Sequence, residues 1–191
     1  MLFQDYPAGP VERFMQYARS NGGISRYEKI RYFFERIYKA GPISDAEVTR
    51  LAMKYSEFVK QEVIKAPPVN GAMEFLSHHD AEYDFAIVSG SDQEELRVVC
   101  RVRGIDRFFA EILGSPANKE SNLSLLLSRT GWDREACLFI GDSLNDLEAA
   151  QLNKIDFIGR NSGLVNWDRM GDVAAIHDFT ELPLYLLQLS A

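Results

Sequence analysis

Three short stretches of this chain hold residue types that suit one chemistry. Ser89-Gly90-Ser91 follows the apolar run Phe85-Ala86-Ile87-Val88. Lys119 follows Ile112-Leu113 and the break Gly114-Ser115-Pro116. Asp142 and Asp146 follow the apolar run Cys137-Leu138-Phe139-Ile140, with Ser143 and Asn145 between them. A hydroxyl, an ammonium and two carboxylates suit a phosphate together with a divalent cation. Lysine neutralises phosphate as a point charge. A hydroxyl and nearby backbone N–H groups, here those around Ser89 and Gly90, donate to phosphate oxygens. Carboxylates with an open shell suit Mg²⁺, which keeps water and substrate phosphate as further ligands. Asp142 and Asp146 are the metal candidates. Each residue also has a plainer reading: Asp142 as a helix cap, Asp146 and Lys119 as solvated charges, Ser89 as a turn hydroxyl.

These residues act together only if the fold brings them to one edge. From Val69 onward the pattern alternates between strand and helix. Helix Gly71–Ser77 precedes strand Phe85–Val88, and helix Asp92–Val102 precedes a short strand at Ile112-Leu113. Helix Asn118–Ser128 precedes strand Cys137–Ile140, and helix Asn145–Leu152 precedes strand Ile155–Ile158. A weak strand Val173–Ile176 and helix Leu182–Leu189 close the pattern. Such alternation predicts an α/β fold, a parallel sheet covered by helices on both faces. In such sheets ligands bind outside the carboxyl ends of the strands, where all three stretches fall.

The first third reads as helical. Val11–Ser20 is amphipathic and ends at Asn21-Gly22-Gly23. Ser25-Arg26-Tyr27-Glu28 and Ser44-Asp45-Ala46-Glu47 both have capping-box spacing. Ile30, Phe33, Phe34 and Ile37 repeat at helical period behind the first, and Val48, Leu51, Tyr55, Phe58 and Val59 behind the second. The aromatic stripe Tyr32, Phe33, Phe34, Tyr38 reads as helix core. Gly41-Pro42 separates the two helices, and Pro67-Pro68 marks a hinge. The division predicted is a helical region, 1–68, and an α/β core, 69–191.

The arrangement resembles the haloacid dehalogenase superfamily, in particular its phosphatases with a helical cap. Ser89 in FAIVSG matches the second family motif, Lys119 in GSPANK the third, and Asp142 and Asp146 in GDSLND the fourth. The resemblance implies a Rossmann-like three-layer core with a small all-α cap, and Mg²⁺-dependent hydrolysis of a small phosphorylated metabolite through an aspartyl phosphate. It makes Ser89 and Lys119 catalytic, with Asp146 orienting Lys119 or a metal-bound water. Arg26 could then reach from cap to substrate; its other reading is an exposed structural arginine.

One motif departs from the pattern. The family's first motif is a strand ending in Asp-x-Asp-Gly ahead of the cap, and its first aspartate is the nucleophile. Here Asp5 is the aspartate ahead of the helices, followed by Tyr6-Pro7-Ala8. That is neither the motif nor a buried strand. The missing strand would lie mid-sheet, between Phe85–Val88 and Cys137–Ile140. Losing four or five buried apolar side chains costs on the order of 10 kcal/mol, against a domain stability of about 5–15 kcal/mol. The sheet is therefore expected to repair the gap, by pairing its two neighbours directly or by borrowing a segment. Alternatively, upstream codons encode the strand. Without a nucleophile no phosphoenzyme forms, so the chain by itself is expected to be inactive.

Two other functions compete. A pocket without a nucleophile could belong to a catalytically silent phosphate-binding or regulatory protein. Gly141-Asp142-Ser143-Leu144 also spells the signature of a serine esterase family, with Ser143 as nucleophile and a histidine as base. That family ends in Asp-x-x-His, whereas here Asp172 precedes His177 by five positions.

The bulk composition narrows the partners. The net charge of −7 over 191 residues argues against nucleic acid, which calls for a basic face. No apolar run approaches the ~20 residues of a membrane span, and the N-terminus has no apolar signal core. Cys100 and Cys137 sit among apolar neighbours without metal or redox spacing and read as reduced thiols, which suits the cytoplasm. His78-His79-Asp80 reads as exposed polar surface. An unfilled sheet gap would favour a homo-oligomer.

Overall fold

The computed structural model describes residues 2–189. Its first part is helical: α1 (Ala8–Ser20), α2 (Arg26–Tyr32) running into a π-helical turn (Phe33–Ile37), and α3 (Asp45–Lys65). Both serine caps form. Ser25 Oγ accepts from Tyr27 N–H at 3.2 Å and Ser44 Oγ from Glu47 N–H at 3.3 Å. The glutamates do not complete the boxes; Glu47 turns to Arg50 at 2.6 and 2.9 Å instead. The helical periodicity does not show the π turn, in which Tyr38 N–H reaches back to Phe33 O at 2.8 Å.

These helices share a core of their own: Phe3, Ile30, Phe33, Phe34, Val48, Leu51 and Ala52. Phe3 stacks on Phe33 with ring centres 4.1 Å apart. The N-terminal residues thus pack on the helices; residues 2–6 form turns and a bend, not a strand. Asp5 is exposed. The middle of the aromatic stripe is core, while Tyr32 and Tyr38 lie nearer the surface.

The alternating region follows the expected order. It comprises α4 (Ala72–His78), β1 (Phe85–Asp92), α5 (Gln93–Val102), β2 (Phe109–Ser115), α6 (Lys119–Thr130), β3 (Leu138–Gly141), α7 (Leu144–Asn153), β4 (Asp156–Arg160), β5 (Ala174–Ile176) and α8 (Leu182–Leu189). All pairings are parallel. Strand β1 runs on through Ser89-Gly90-Ser91, and β2 is longer than the two residues that stood out in the sequence.

The sheet is divided. Among the described residues β1 pairs with β2, and β3 with β4 and then β5, while no ladder joins β1 to β3. The expected repair, by direct pairing or a borrowed segment, is therefore corrected. Side chains hold the two sheets together instead. On one face Ala86 and Val88 of β1, Leu113 of β2 and Phe139 of β3 share a core with Leu123, Leu126 and Leu127 of α6 and Ala149 of α7. On the other, Phe85 of β1 and Leu138 and Ile140 of β3 share a core with Phe75 of α4 and Leu182 of α8. Two common cores keep β1 and β3 in one layer without backbone bonds between them. Both strands remain half-buried along their whole length, whereas β2 and β4 reach full burial.

The junction between the two regions is tied down. The Arg103 guanidinium, just past α5, donates to the carbonyls of Val63, Ile64 and Ala66 at 3.1, 3.3 and 2.6 Å. These carbonyls close α3 directly ahead of Pro67-Pro68, and that of Val63 also accepts from Ala66 N–H.

Candidate functional site

Lys119 is the first residue of α6, where its charge opposes the helix dipole. Asn118 caps that helix, accepting from Ser121 N–H at 2.8 Å. The ammonium is turned inward and only 10% exposed. It donates to Asp146 Oδ1 at 2.5 Å, Asn145 Oδ1 at 3.2 Å and Ser143 Oγ at 3.4 Å. The Asp146 pairing compensates both the burial and the unfavourable helix end.

Asp146 is fully engaged. Its Oδ2 accepts from Ser143 N–H at 3.1 Å and Ser143 Oγ at 2.5 Å. It is the carboxylate half of a capping box on α7. Capping therefore falls to Ser143 and Asp146, and Asp142 is left free of that role. Ser143 has no histidine among its hydrogen-bond partners, and the three histidines bond elsewhere: His78 to Glu74 O, His79 to Glu82 and His177 to Glu181. The esterase arrangement is not assembled.

Asp142, just past β3, lines a cavity of about 770 Å³ together with Ser89, Gly90, Ser91 and Lys119. The structure thus brings Ser89, Gly90, Lys119 and Asp142 to one space at the carboxyl ends of β1 and β3. The opposite wall comes from the helices: Val11, Phe14, Tyr55 and Phe58. Asp5 is not among the lining residues.

A glycine loop joins the walls. A Cβ on Gly90 would lie 2.6 Å from Gly23 O, and one on Gly23 would lie 2.1 Å from Ser143 Oγ. Neither position has room for a side chain. Asn145 Nδ2 donates to Gly23 O at 2.8 Å, fastening the Gly22–Ile24 loop to the rim. Nearby, Arg26 pairs with Glu95 at 2.7 and 3.1 Å and lies 4.9 Å from the centre of the Tyr55 ring. Its guanidinium is only 12% exposed, so the reading as an exposed arginine gives way to a buried ion pair, while Arg26 also lines the cavity. Tyr27 donates to Asp92 at 2.6 Å, and burial with this bond pushes its hydroxyl pKa up to about 12.

Sequence reasoning missed two basic residues. Arg160, ending β4, places Nη1 3.8 Å from Asp142 Oδ2, and its buried Nε has no hydrogen-bond partner among the described residues. A charge at the carboxyl end of the strand beside β3 was the available signal. Lys29 also lines the cavity, and burial together with Lys119 and Arg26 lowers its pKa. Nothing in its helical spacing distinguished it from a solvent-facing lysine.

A magnesium ion takes one or two carboxylates and completes its shell with water and substrate oxygens. Asp142 has a carboxylate facing the cavity, but Asp146 is taken up by Lys119 and Ser143. Among the described residues no group of three His, Cys, Asp or Glu side chains converges on a metal position. The residues present thus fit one carboxylate's share of such a site.

Parallel strands on shared cores, with the cavity at their carboxyl ends, define the class as a Rossmann-like α/β protein. The family profile of haloacid dehalogenase-like hydrolases matches residues 3–152, and the chain belongs to that family. It is 32% identical over 108 residues to a phosphoglycolate phosphatase of Synechococcus elongatus, covering 53% of this chain and 49% of that protein. It is 26% identical over 130 residues to a phosphoglycolate phosphatase of Haemophilus influenzae, covering 63% and 57%. The chain thus spans about half the length of these curated relatives. The fold is similar to that of a predicted phosphatase from Clostridium acetobutylicum, at TM-score 0.73 and 14% identity over 94% of this chain and 88% of that one. It is also similar to CbbY from Rhodobacter sphaeroides in complex with phosphate, at TM-score 0.72 and 17% identity over 88% and 79%. No helix among the described residues is long and apolar enough to cross a membrane.

Proposed function

We propose that this chain is a phosphatase-type scaffold that binds the phosphate of a small phosphorylated metabolite, with Mg²⁺, beneath a helical cap formed by residues 1–68 on a core formed by residues 69–191. The observation that carries the reading is the convergence of Ser89, Gly90, Lys119 and Asp142 on one cavity. Ser89 and the N–H groups around Gly90 donate to phosphate oxygens, and Lys119 neutralises their charge. Asp142 holds the metal, which supplies Lewis-acid polarisation of the phosphoryl group when bound. Asp146 holds Lys119 in place. The cap excludes water and restricts the site to small substrates. The phosphoglycolate phosphatase relatives support this substrate class.

Asp5 is exposed and does not line the cavity, and among the described residues Asp142 is the one carboxylate that does. We therefore expect the chain alone to bind phosphate without turning over. The free thiols Cys100 and Cys137 support a cytoplasmic setting, and the open edges of β1 and β3 support self-association.

The test is calorimetric titration of the 191-residue chain with inorganic phosphate and Mg²⁺, beside an assay on p-nitrophenyl phosphate. Binding that Lys119→Gln removes, with no turnover, is the expected result. Metal-dependent turnover abolished by Asp142→Ala would sink the inactivity claim; no binding would sink the site.

A further inference from the structure

We propose that Lys29 is a specificity residue, receiving a second anionic group, a carboxylate or a phosphate, on the ligand whose first phosphate sits at Ser89 and Lys119. This inference rests on the phosphate reading above. The geometry behind it is a surplus of positive charge in a confined place. Arg19, Arg26, Lys29 and Lys119 all line the cavity, and Asp142 is the one acidic residue lining it.

The cations differ in how they are compensated. Arg26 is paired with Glu95 and Lys119 with Asp146. Arg19 is exposed in the last turn of α1 and acts through solvent. Lys29 is different. It is half-buried, donates to Gly22 O at 3.3 Å, and has no carboxylate partner among the described residues. A partly desolvated cation beside two others is costly, and an incoming anion relieves that cost. Burial, Lys119 and Arg26 together lower its pKa, as such a position demands.

Position narrows the ligand. Lys29 bonds to Gly22, and the next residue, Gly23, is fastened by Asn145 at the rim. Asn145 in turn touches Lys119. The two ammonium groups are therefore separated by a single loop, which suits two anionic groups on a short spacer. The wall beside them is mostly apolar, Val11, Phe14 and Phe58, and Tyr55 brings it a single hydroxyl. Positive charge from Lys29 and Lys119 is therefore the main polar signal beside this wall.

The test compares 2-phosphoglycolate with 2-hydroxyethyl phosphate, which replaces the carboxylate by a neutral hydroxymethyl group. Affinities are measured by calorimetry at fixed salt with Mg²⁺ for the wild type, Lys29→Gln and Lys29→Arg. The expected result is a preference for phosphoglycolate of about tenfold in the wild type, lost in Lys29→Gln and kept in Lys29→Arg. A preference that survives Lys29→Gln overturns the inference. So does equal affinity of the wild type for the two esters, which leaves the phosphate site itself standing. Failure of both esters to bind the wild type overturns the site and this inference together.

Discussion

Arg26 of α2 and Glu95 of α5 are joined by two hydrogen bonds, at 2.7 and 3.1 Å, with their side chains 12% and 7% exposed. The pair links the helical region to the α/β region through a nearly dry contact. Breaking one partner of a buried pair strands the other charge, at a cost of about 3–5 kcal/mol. Glu95→Gln is expected to lose that much in urea unfolding. Replacing both, as Arg26→Met with Glu95→Leu, is expected to recover most of it. Equal losses in the single and double variants would show that the pair contributes packing and not charge.

Asp142 and Asp146 are four residues apart in one motif, yet Asp146 is bonded to Lys119 and Ser143 while Asp142 faces the cavity. Asp146→Ala removes the partner of Lys119 and the cap of α7, and is expected to cost about 3–5 kcal/mol. Asp142→Asn touches a half-exposed carboxylate and is expected to change stability by about 0.5 kcal/mol or less. Its effect belongs in Mg²⁺-supported phosphate binding, which should weaken. Parallel denaturation and titration of both variants separate the two roles.

Gly23 offers a steric test of the loop. A methyl group there meets Ser143 Oγ at 2.1 Å and Asn145 Oδ1 at 2.2 Å. Gly23→Ala must push the loop off the rim, with an overpacking cost of about 1–3 kcal/mol. Phosphate affinity, measured by calorimetry, is expected to fall with it, because Asn145 also touches Lys119.

The divided sheet predicts an exchange pattern. In a parallel ladder, successive residues send their N–H groups to opposite neighbours. Alternate amides of β1 and β3 therefore bond to β2 and β4, and the rest face each other unpaired. Hydrogen exchange followed by NMR is expected to show fast and slow amides alternating along Phe85–Val88 and Leu138–Gly141. Uniform protection along both strands would contradict the open edge.

The two thiols report on burial. Burial first, then Asp106 beside Cys100 and Asp133 beside Cys137, raises both pKa values above the ordinary thiol range. A raised pKa means less thiolate at pH 8, and thiolate is the reactive form. Both cysteines are expected to alkylate more slowly in the folded chain than in urea, with Cys100, the more buried, slower. Mass spectrometry of iodoacetamide-treated samples reads both sites.

Much of this was legible from periodicity. The order of helices and strands followed from alternating apolar runs, and Ser89, Lys119 and Asp142 met where strand ends must converge. What stayed hidden depends on contacts far apart in sequence. Arg26 and Glu95 lie 69 residues apart, and nothing in either neighbourhood announces the other. The π turn at Phe33–Ile37 keeps an apolar spacing that a plain helix shares. The gap was misjudged for a different reason. Counting the lost buried side chains left out that α6 and α7 could span β1 and β3 on one face while α4 and α8 do so on the other.

Arg103 gathers three carbonyls at the end of α3, just ahead of Pro67-Pro68. The helical region is thereby moored at several points: Arg103 ahead of the proline pair, Arg26 on Glu95, Tyr27 on Asp92 and Gly23 on Asn145. Any movement of these helices away from the sheets has to break those moorings together, a motion expected on the microsecond-to-millisecond scale of domain opening.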